Sequence, residues 1–179
     1  MIRITAGELR GRRITVPKDD VRPTSERARQ AFFDIIGPRI AGARFLDLFA
    51  GSGIFSFEAV SRGAAEAVAV DRSKAHTGAI GKTATALGVR VTAITGEVPA
   101  SLARIGSAPF DIVYADPPYG WEGYDALLAA IDTALPLAPE ATVAIEHRRG
   151  TTPFHGELTR LHHSRRAEYG EVWISFFIA

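Results

Sequence analysis

"RFLDLFAGSGIFSFEAVSRG", residues 44–63, changes its hydrophobic rhythm part-way along. The first seven residues are an apolar run that reads as a buried strand. Gly51, Ser52 and Gly53 make a turn, and Ile54 onward reads as a helix closed by Gly63. A strand that passes through glycines into a helix aims backbone N–H groups at a ligand and lets it approach closely. Gly51-x-Gly53 is half of a dinucleotide fingerprint, with Ser56 where the third glycine would fall. A plain strand-to-helix turn has the same pattern, so the glycine pair alone leaves both readings open. Asp47, inside the strand, adds a carboxylate that suits a cationic or amine-bearing ligand better than a pyrophosphate.

The alternation continues on the C-terminal side. "AEAVAVD" (65–71) is a second strand, residues 73–87 a helix ended by Gly88, and "VRVTAIT" (89–95) a third strand. A short helix is expected over 98–105, then "FDIVYAD" (110–116) as a strand, a helix over 123–134, and "ATVAIEH" (141–147) as the fifth strand. Such a pattern predicts an α/β, Rossmann-like domain with a mostly parallel sheet and helices on both faces. "LTRLHHSRRAEYGEVWISFFIA" (158–179) reads as an antiparallel hairpin turning near Tyr169–Gly170, which brings the sheet to seven strands. Before Arg44, "RITAGELRGRRITVP" (3–17) suggests a small β-hairpin. "RPTSERARQAFFDIIG" (22–37) suggests a helix with Pro23 at its entry, Thr24 or Ser25 as cap, and Phe32, Ile35 and Ile36 on its apolar face. The expected division is an N-terminal extension over 1–43 and a main domain over 44–179.

Composition narrows the chemistry. The 179 residues are 46% hydrophobic and 23% charged, as in a soluble globular protein, with no apolar run near the ~20 residues of a membrane span. The N-terminus lacks the apolar core of a secretory signal, so a cytoplasmic protein is expected. There is no cysteine, which excludes disulfides, thiolate metal sites and a cysteine nucleophile. No His/Asp cluster has metal-ligand spacing. The net charge of +1 conceals an asymmetry: residues 1–44 carry ten Lys and Arg against five Asp and Glu, and residues 45–140 six against eleven. A basic arm on an acidic body points to a polyanion docked at one end, although a chance imbalance on a solvated surface fits the charges too.

Three further stretches carry chemistry. Asp71, followed by Arg72, closes the second strand 18 residues beyond Gly53, close to the ~20 expected of an acid that binds ribose hydroxyls. A strand-terminal Asp that caps the next helix is the alternative. "TGEV" (95–98) places Glu97 where it could accept from an adenine amine or be an ordinary loop carboxylate. In "YADPPYG" (114–120), Pro117 and Pro118 end the strand and stiffen the loop. Asp116 and the Pro117 carbonyl can accept the two N–H bonds of an exocyclic amine and aim its lone pair at an electrophilic methyl group. The Tyr119 ring offers a stacking face for a base flipped out of folded nucleic acid, worth ~1–3 kcal/mol. An incidental Pro-Pro turn is the alternative.

"LDLFAGSG", "VDRS" and "DPPY", in this order and spacing, resemble a class I S-adenosylmethionine-dependent methyltransferase acting on exocyclic amines. "RITAGELRGRRI", "RPTSERARQAFF" and "EYGEVWISFF" resemble the RsmD family of bacterial small-subunit rRNA guanine-N2 methyltransferases over essentially the whole chain. The resemblance implies S-adenosyl-L-methionine as cofactor, with Asp47, Gly51, Ser52 and Gly53 at its methionine end. Asp71 and Arg72 would lie at its ribose, and Glu97 and Val98 at its adenine. It implies Asp116, Pro117, Pro118 and Tyr119 as the catalytic loop, and Arg10, Arg12, Arg13, Arg22 and Arg27 as RNA-phosphate contacts. The implied partner is 16S rRNA within an assembled or assembling small subunit, with ribosomal proteins nearby, no membrane, and a monomeric enzyme. A DNA adenine-N6 methyltransferase is disfavoured because 179 residues hold no separate target-recognition region. A non-catalytic assembly factor is disfavoured by the intact "DPPY".

Overall fold

The computed structural model describes residues 1–16, 26–151 and 154–179. β1 (Ile2–Arg3) and β2 (Arg13–Ile14) pair antiparallel as a small ribbon. α1 (Glu26–Ile36) follows, and then the alternating body: β3 (Arg44–Leu48), α2 (Ile54–Ser61), β4 (Glu66–Asp71), α3 (Lys74–Leu87), β5 (Val91–Thr95), β6 (Phe110–Ala115), α4 (Tyr124–Ala134) and β7 (Leu137–Arg148). β8 (His162–Tyr169) and β9 (Val172–Ile178) form the closing hairpin. The seven-stranded sheet runs β5-β4-β3-β6-β7-β9-β8. β3 to β7 are mutually parallel, and β9 inserts antiparallel between β7 and β8. The α/β, mostly parallel architecture with an antiparallel C-terminal hairpin is as expected from the sequence.

Local sequence explains most boundaries. The Ser73 side chain accepts from the His76 N–H to cap α3, which ends at Gly88 in the left-handed conformation (φ 66°). Over 98–105 the expected helix reduces to a single 3-10 turn, Leu102–Arg104. Pro99 and Gly106 leave too few residues between them to repay helix nucleation. β7 begins at Leu137, earlier than expected, and its pairing with β6 shifts register where Glu140 takes a positive φ of 60°.

Alternate residues along each strand feed two apolar layers. One face of the sheet buries Phe45, Ile112, Tyr114 and Phe176 against Phe32, Phe33 and Ile36 of α1, Phe55 and Phe57 of α2, and Ile80 of α3. The other buries Leu46, Leu48, Val113, Val143 and Ile145 against Leu127, Leu128 and Ile131 of α4. In α1 the buried set is Ala28, Arg29, Phe32, Phe33 and Ile36; Ile35 is only partly covered. The capping residues expected for α1 lie outside the described residues. No helix among the described residues is long and apolar enough to cross a membrane.

The N-terminal ribbon is fastened to the body. Ile4 and Ile14 join the first apolar layer, at 0% and 1% exposure. The fully buried Glu58 carboxylate of α2 accepts from the Thr5 N–H (3.0 Å), the Thr5 hydroxyl (2.5 Å) and the Ala6 N–H (3.1 Å). It also faces Arg29 (3.7 Å) and Arg62 (2.9 Å). Gly7 (φ 79°) is obligatory, because a Cβ there would fall 1.7 Å from the Ser61 carbonyl oxygen. Glu58→Ala should therefore destabilise the fold by about 3–5 kcal/mol in a denaturant titration, since buried Arg29 would keep its charge and lose its carboxylate.

Candidate active site

The sheet reverses direction of growth at β3: β4 lies on one side, β6 on the other. Loops leaving the C-terminal ends of β3 and β6 diverge there, and ligands of open α/β sheets bind in that crevice. The Gly51–Gly53 turn leaves β3, and the Asp116–Gly120 loop leaves β6. Leu48 and Ala115 are partners in register, and the Asp116 N–H donates to the Leu48 carbonyl (3.3 Å). The two stretches that carry the sequence reading are thus neighbours.

Register places four carboxyl groups in a row. Asp47 is paired with Ala69 on one side and Tyr114 on the other, and Tyr114 with Ala144. Asp71, Asp116 and Glu146 each lie two residues beyond one of those partners, so all four share one face of the sheet. Asp47, Asp71 and Glu146 are buried and Asp116 is half-buried.

Each carboxylate has local work. The Asp47 Oδ2 accepts from the N–H (3.1 Å) and hydroxyl (2.8 Å) of Ser56. That explains a serine in the third glycine position: it ties the first turn of α2 to β3. Asp71 Oδ2 accepts from the Gly51 N–H (2.8 Å), while Oδ1 accepts from the Ser73 N–H (2.8 Å) and faces His76 Nδ1 (3.1 Å). Asp71 therefore holds the glycine turn and the start of α3 together, and Oδ2 keeps lone-pair capacity for a further donor. Gly53 adopts φ 73°, and a Cβ there would meet Ile80 Cγ1 at 2.8 Å, so a side chain is excluded twice over. Ser52 is buried in the turn and Arg72 is exposed beside it. Glu97 is exposed and Val98 half-buried just past β5, at the far side of the same crevice.

Burial, opposed by the Ser56 hydrogen bonds and reinforced by the charges of Asp116 and Asp71, raises the Asp47 carboxyl to a pKa of about 7. Negative charge is in excess here, so a cationic ligand at the turn would lower the cost of ionising Asp47. A sulfonium cofactor that also bears an amino group and ribose hydroxyls fits this set of acceptors.

Pro117 is buried, whereas Pro118 and Tyr119 reach solvent, Tyr119 at 71% exposure. The Tyr119 hydroxyl accepts from Arg148 Nη1 (2.7 Å), and the Arg148 guanidinium lies 5.4 Å from the ring centroid. A cavity of about 360 Å³ opens beside the loop, lined by Tyr119, Trp121, Tyr124, Asp125, Arg148 and His155 among others. Three of these are aromatic, and the volume suits a small planar ligand. Trp121 packs edge-on against Phe49 (5.1 Å) and Tyr124 (5.3 Å). Phe49 itself has a positive φ of 61°, a costly conformation for a phenylalanine that recurs at functional sites. Sequence reading missed Phe49, Trp121, Tyr124, Arg148 and Glu146. Their sole signal was nearness to a motif, except for Arg148 and Glu146, which needed the β6–β7 register.

Arg10, Arg12 and Arg13 are exposed at the turn end of the ribbon, and Arg27 is exposed on the first turn of α1. Arg22 lies outside the described residues. No cluster among the described residues could hold a metal ion.

The family model for Conserved hypothetical protein 95 matches residues 2–178. The chain belongs to this family, the RsmD family. Within it, Ribosomal RNA small subunit methyltransferase D of Escherichia coli K12 is 33% identical over 158 residues, spanning 77% of this chain and 79% of the relative. A solved E. coli methyltransferase, yhhF, superimposes with a TM-score of 0.85 at 28% identity, covering 99% of this chain and 97% of its own. A more distant methyltransferase solved with SAH, 16% identical, shares the fold with a TM-score of 0.66 over 86% of this chain and 48% of its own. RsmD-family membership and this fold make the chain a class I methyltransferase whose cofactor is S-adenosyl-L-methionine.

Proposed function

We propose that this methyltransferase methylates the exocyclic N2 of one guanine in 16S rRNA, within an assembled or assembling small ribosomal subunit. The observation that carries the reading is the adjacency of the glycine turn and the Asp-Pro-Pro-Tyr loop across β3 and β6. It sets a cationic-ligand site beside an amine-accepting one. The E. coli relative, by name a small-subunit ribosomal RNA methyltransferase, supports the RNA substrate.

Bound at the turn, S-adenosyl-L-methionine supplies an electrophilic methyl group on a sulfonium. We assign Asp47, Gly51, Ser52 and Gly53 to its methionine end, Asp71 and Arg72 to its ribose, and Glu97 and Val98 to its adenine. Asp116 accepts one N–H of the guanine amine and the Pro117 carbonyl the other. The nitrogen is thereby drawn toward tetrahedral geometry and its lone pair freed from the ring. Pro118 stiffens the loop in advance of substrate, so little reorganisation is left for the reaction itself. Tyr119 stacks on the flipped base, its hydroxyl steadied by Arg148. No covalent enzyme intermediate is needed, which agrees with a chain without cysteine.

RNA docks on the N-terminal face, where we assign Arg10, Arg12, Arg13, Arg22 and Arg27 to phosphates, with ribosomal proteins as neighbours of a monomeric cytoplasmic enzyme. Residues 1–43 act as the docking part and 44–179 as the catalytic part. Because the ribbon shares the core through Ile4 and Ile14, charge substitution is a cleaner test than deletion. Replacing Arg10, Arg12 and Arg13 by glutamate should weaken RNA binding and flatten its salt dependence by about 0.7–0.9 in log K per log salt for each phosphate that is no longer neutralised. Cofactor affinity, measured by calorimetry, should be unchanged.

The reading is tested by offering labelled cofactor with undermethylated small subunits, free 16S rRNA and duplex DNA in parallel. Label is expected in the subunits and absent from DNA. Label in DNA alone would contradict it.

A further inference from the structure

Glu146 is the one member of the carboxyl row that the proposed chemistry leaves unused. It lies within the buried stretch of β7, one residue before its end at His147, and its cross-strand partner on β9 is the apolar Ile174. The Tyr114 hydroxyl donates to Glu146 Oε2 at 2.5 Å, with both residues buried. Asp116 is its neighbour across β6 and β7, near enough for the two carboxyl groups to interact electrostatically. The β6–β7 register brings the two together: Ala115 pairs with Ile145, so Asp116, just past the end of β6, lies beside Glu146.

Two ionised carboxylates both only accept, so a hydrogen bond between these neighbours requires one of them to carry a proton. Asp116 is half-buried at the crevice while Glu146 is buried behind it, so the charge resides on Asp116 and the proton on Glu146. Burial first, then the charge of Asp116, moves the Glu146 carboxyl up to about 8. The Tyr114 hydroxyl is pushed well above its ordinary range, chiefly by burial, and remains a donor. Among the described residues, Asp47 of β3 and Tyr124 of α4 also act electrostatically on the pair; from α1, Arg29 lies within electrostatic reach of Tyr114.

We propose that Glu146 is a positioning residue: it accepts from Tyr114, donates to Asp116, and so fixes the Asp116 carboxylate at the angle at which it receives the substrate amine. This rests on the functional reading above in assigning Asp116 to the amine. A donor on one oxygen of Asp116 stops the carboxylate from rotating. As pH rises through the Glu146 value the donor is lost, and two adjacent anions push Asp116 out of position.

The test uses the full chain with Glu146→Ala, Glu146→Gln and Tyr114→Phe, assayed on undermethylated small subunits across pH 6–9.5. Glutamine retains a donor toward Asp116 and an acceptor toward Tyr114 but cannot ionise. Glu146→Ala should lower kcat about 10- to 100-fold with KM for the cofactor within about twofold. Glu146→Gln should recover most of that loss, and should lack the decline in kcat that the wild type shows above about pH 8. Tyr114→Phe should lie between the two. A Glu146→Gln variant as slow as Glu146→Ala, or one whose pH profile superimposes on the wild type, would overturn the proposal. Should Glu146→Ala not fold, the profiles of the wild type and Glu146→Gln decide alone. A substrate-free measurement keeps the outcome separate from the choice of substrate. Carbon NMR of glutamate carboxyls in the protein without RNA should show one group titrating near 8, absent in Glu146→Gln. If no glutamate titrates above the ordinary range, the pair does not share a proton and the proposal fails, whatever the enzyme methylates.

Discussion

Asp116→Ala is expected to reduce methyl transfer by about 10²–10³-fold, the scale seen when one preorganised electrostatic partner is removed from a reacting centre. The substrate amine would keep the Pro117 carbonyl as acceptor but lose the carboxylate that draws its second proton. Its nitrogen would then remain conjugated with the ring and poorly nucleophilic. Asp116 lies beyond the end of β6 and is half-buried, so its removal opens no core cavity. Cofactor affinity should stay within a few-fold of wild type, and RNA affinity, which we assign to arginines of the N-terminal segment, should be unaffected. Calorimetry for the cofactor and filter binding for RNA separate these effects from turnover. Turnover equal to wild type in Asp116→Ala would refute the assigned mechanism.

Asp71→Ala is expected to weaken cofactor binding by about 10- to 100-fold, as loss of hydrogen bonds to a charged group at 1.5–3 kcal/mol implies. The effect has two sources. The side chain that would receive the ribose hydroxyls disappears, and so does the acceptor that holds the Gly51 N–H at 2.8 Å and the Ser73 N–H at 2.8 Å. The glycine turn and the start of α3 would no longer be tied to one anchor, and Ser73 would be left to cap α3 alone. Asp71→Asn should fall between wild type and alanine, because its amide can accept at one oxygen but presents N–H groups where the second acceptor stood. Titration calorimetry checks the affinity and a melting curve checks that the fold persists.

Much of this arrangement is legible in the chain because its signals are local. The strand–glycine–helix passage at 44–63, the Ser73 and Gly88 caps, and the proline pair after Ala115 each fix a boundary by backbone chemistry alone. The parallel alternation then places the ends of β3, β4 and β6 at one edge without further information. What stayed hidden depends on register or on contacts distant in sequence. Glu146 reads as an ordinary carboxylate at the end of a strand, since Tyr114 is 32 residues away and becomes its partner only once β6 and β7 align. Arg29 did carry a signal: it lies three, four and seven residues before Phe32, Phe33 and Ile36, on the same buried stripe of α1. Its charge argued for the solvent face until Glu58 supplied a counter-ion. The ribbon misleads for a similar reason. Its arginines suggest a solvated arm, while Ile4, Gly7 and Ile14 bind it to the body. The early start of β7 was concealed by Pro139, which in sequence argues against a strand.

One guanine amine of small-subunit rRNA is the acceptor we propose. The direct measurement is to incubate small subunits lacking their native guanine-N2 methylation with this protein and labelled S-adenosyl-L-methionine, digest the RNA to nucleosides and identify the labelled one. A single labelled product, N2-methylguanosine, is expected at one position and absent with Asp116→Ala. Label in a different nucleoside, or none in RNA despite measurable cofactor binding, would contradict it.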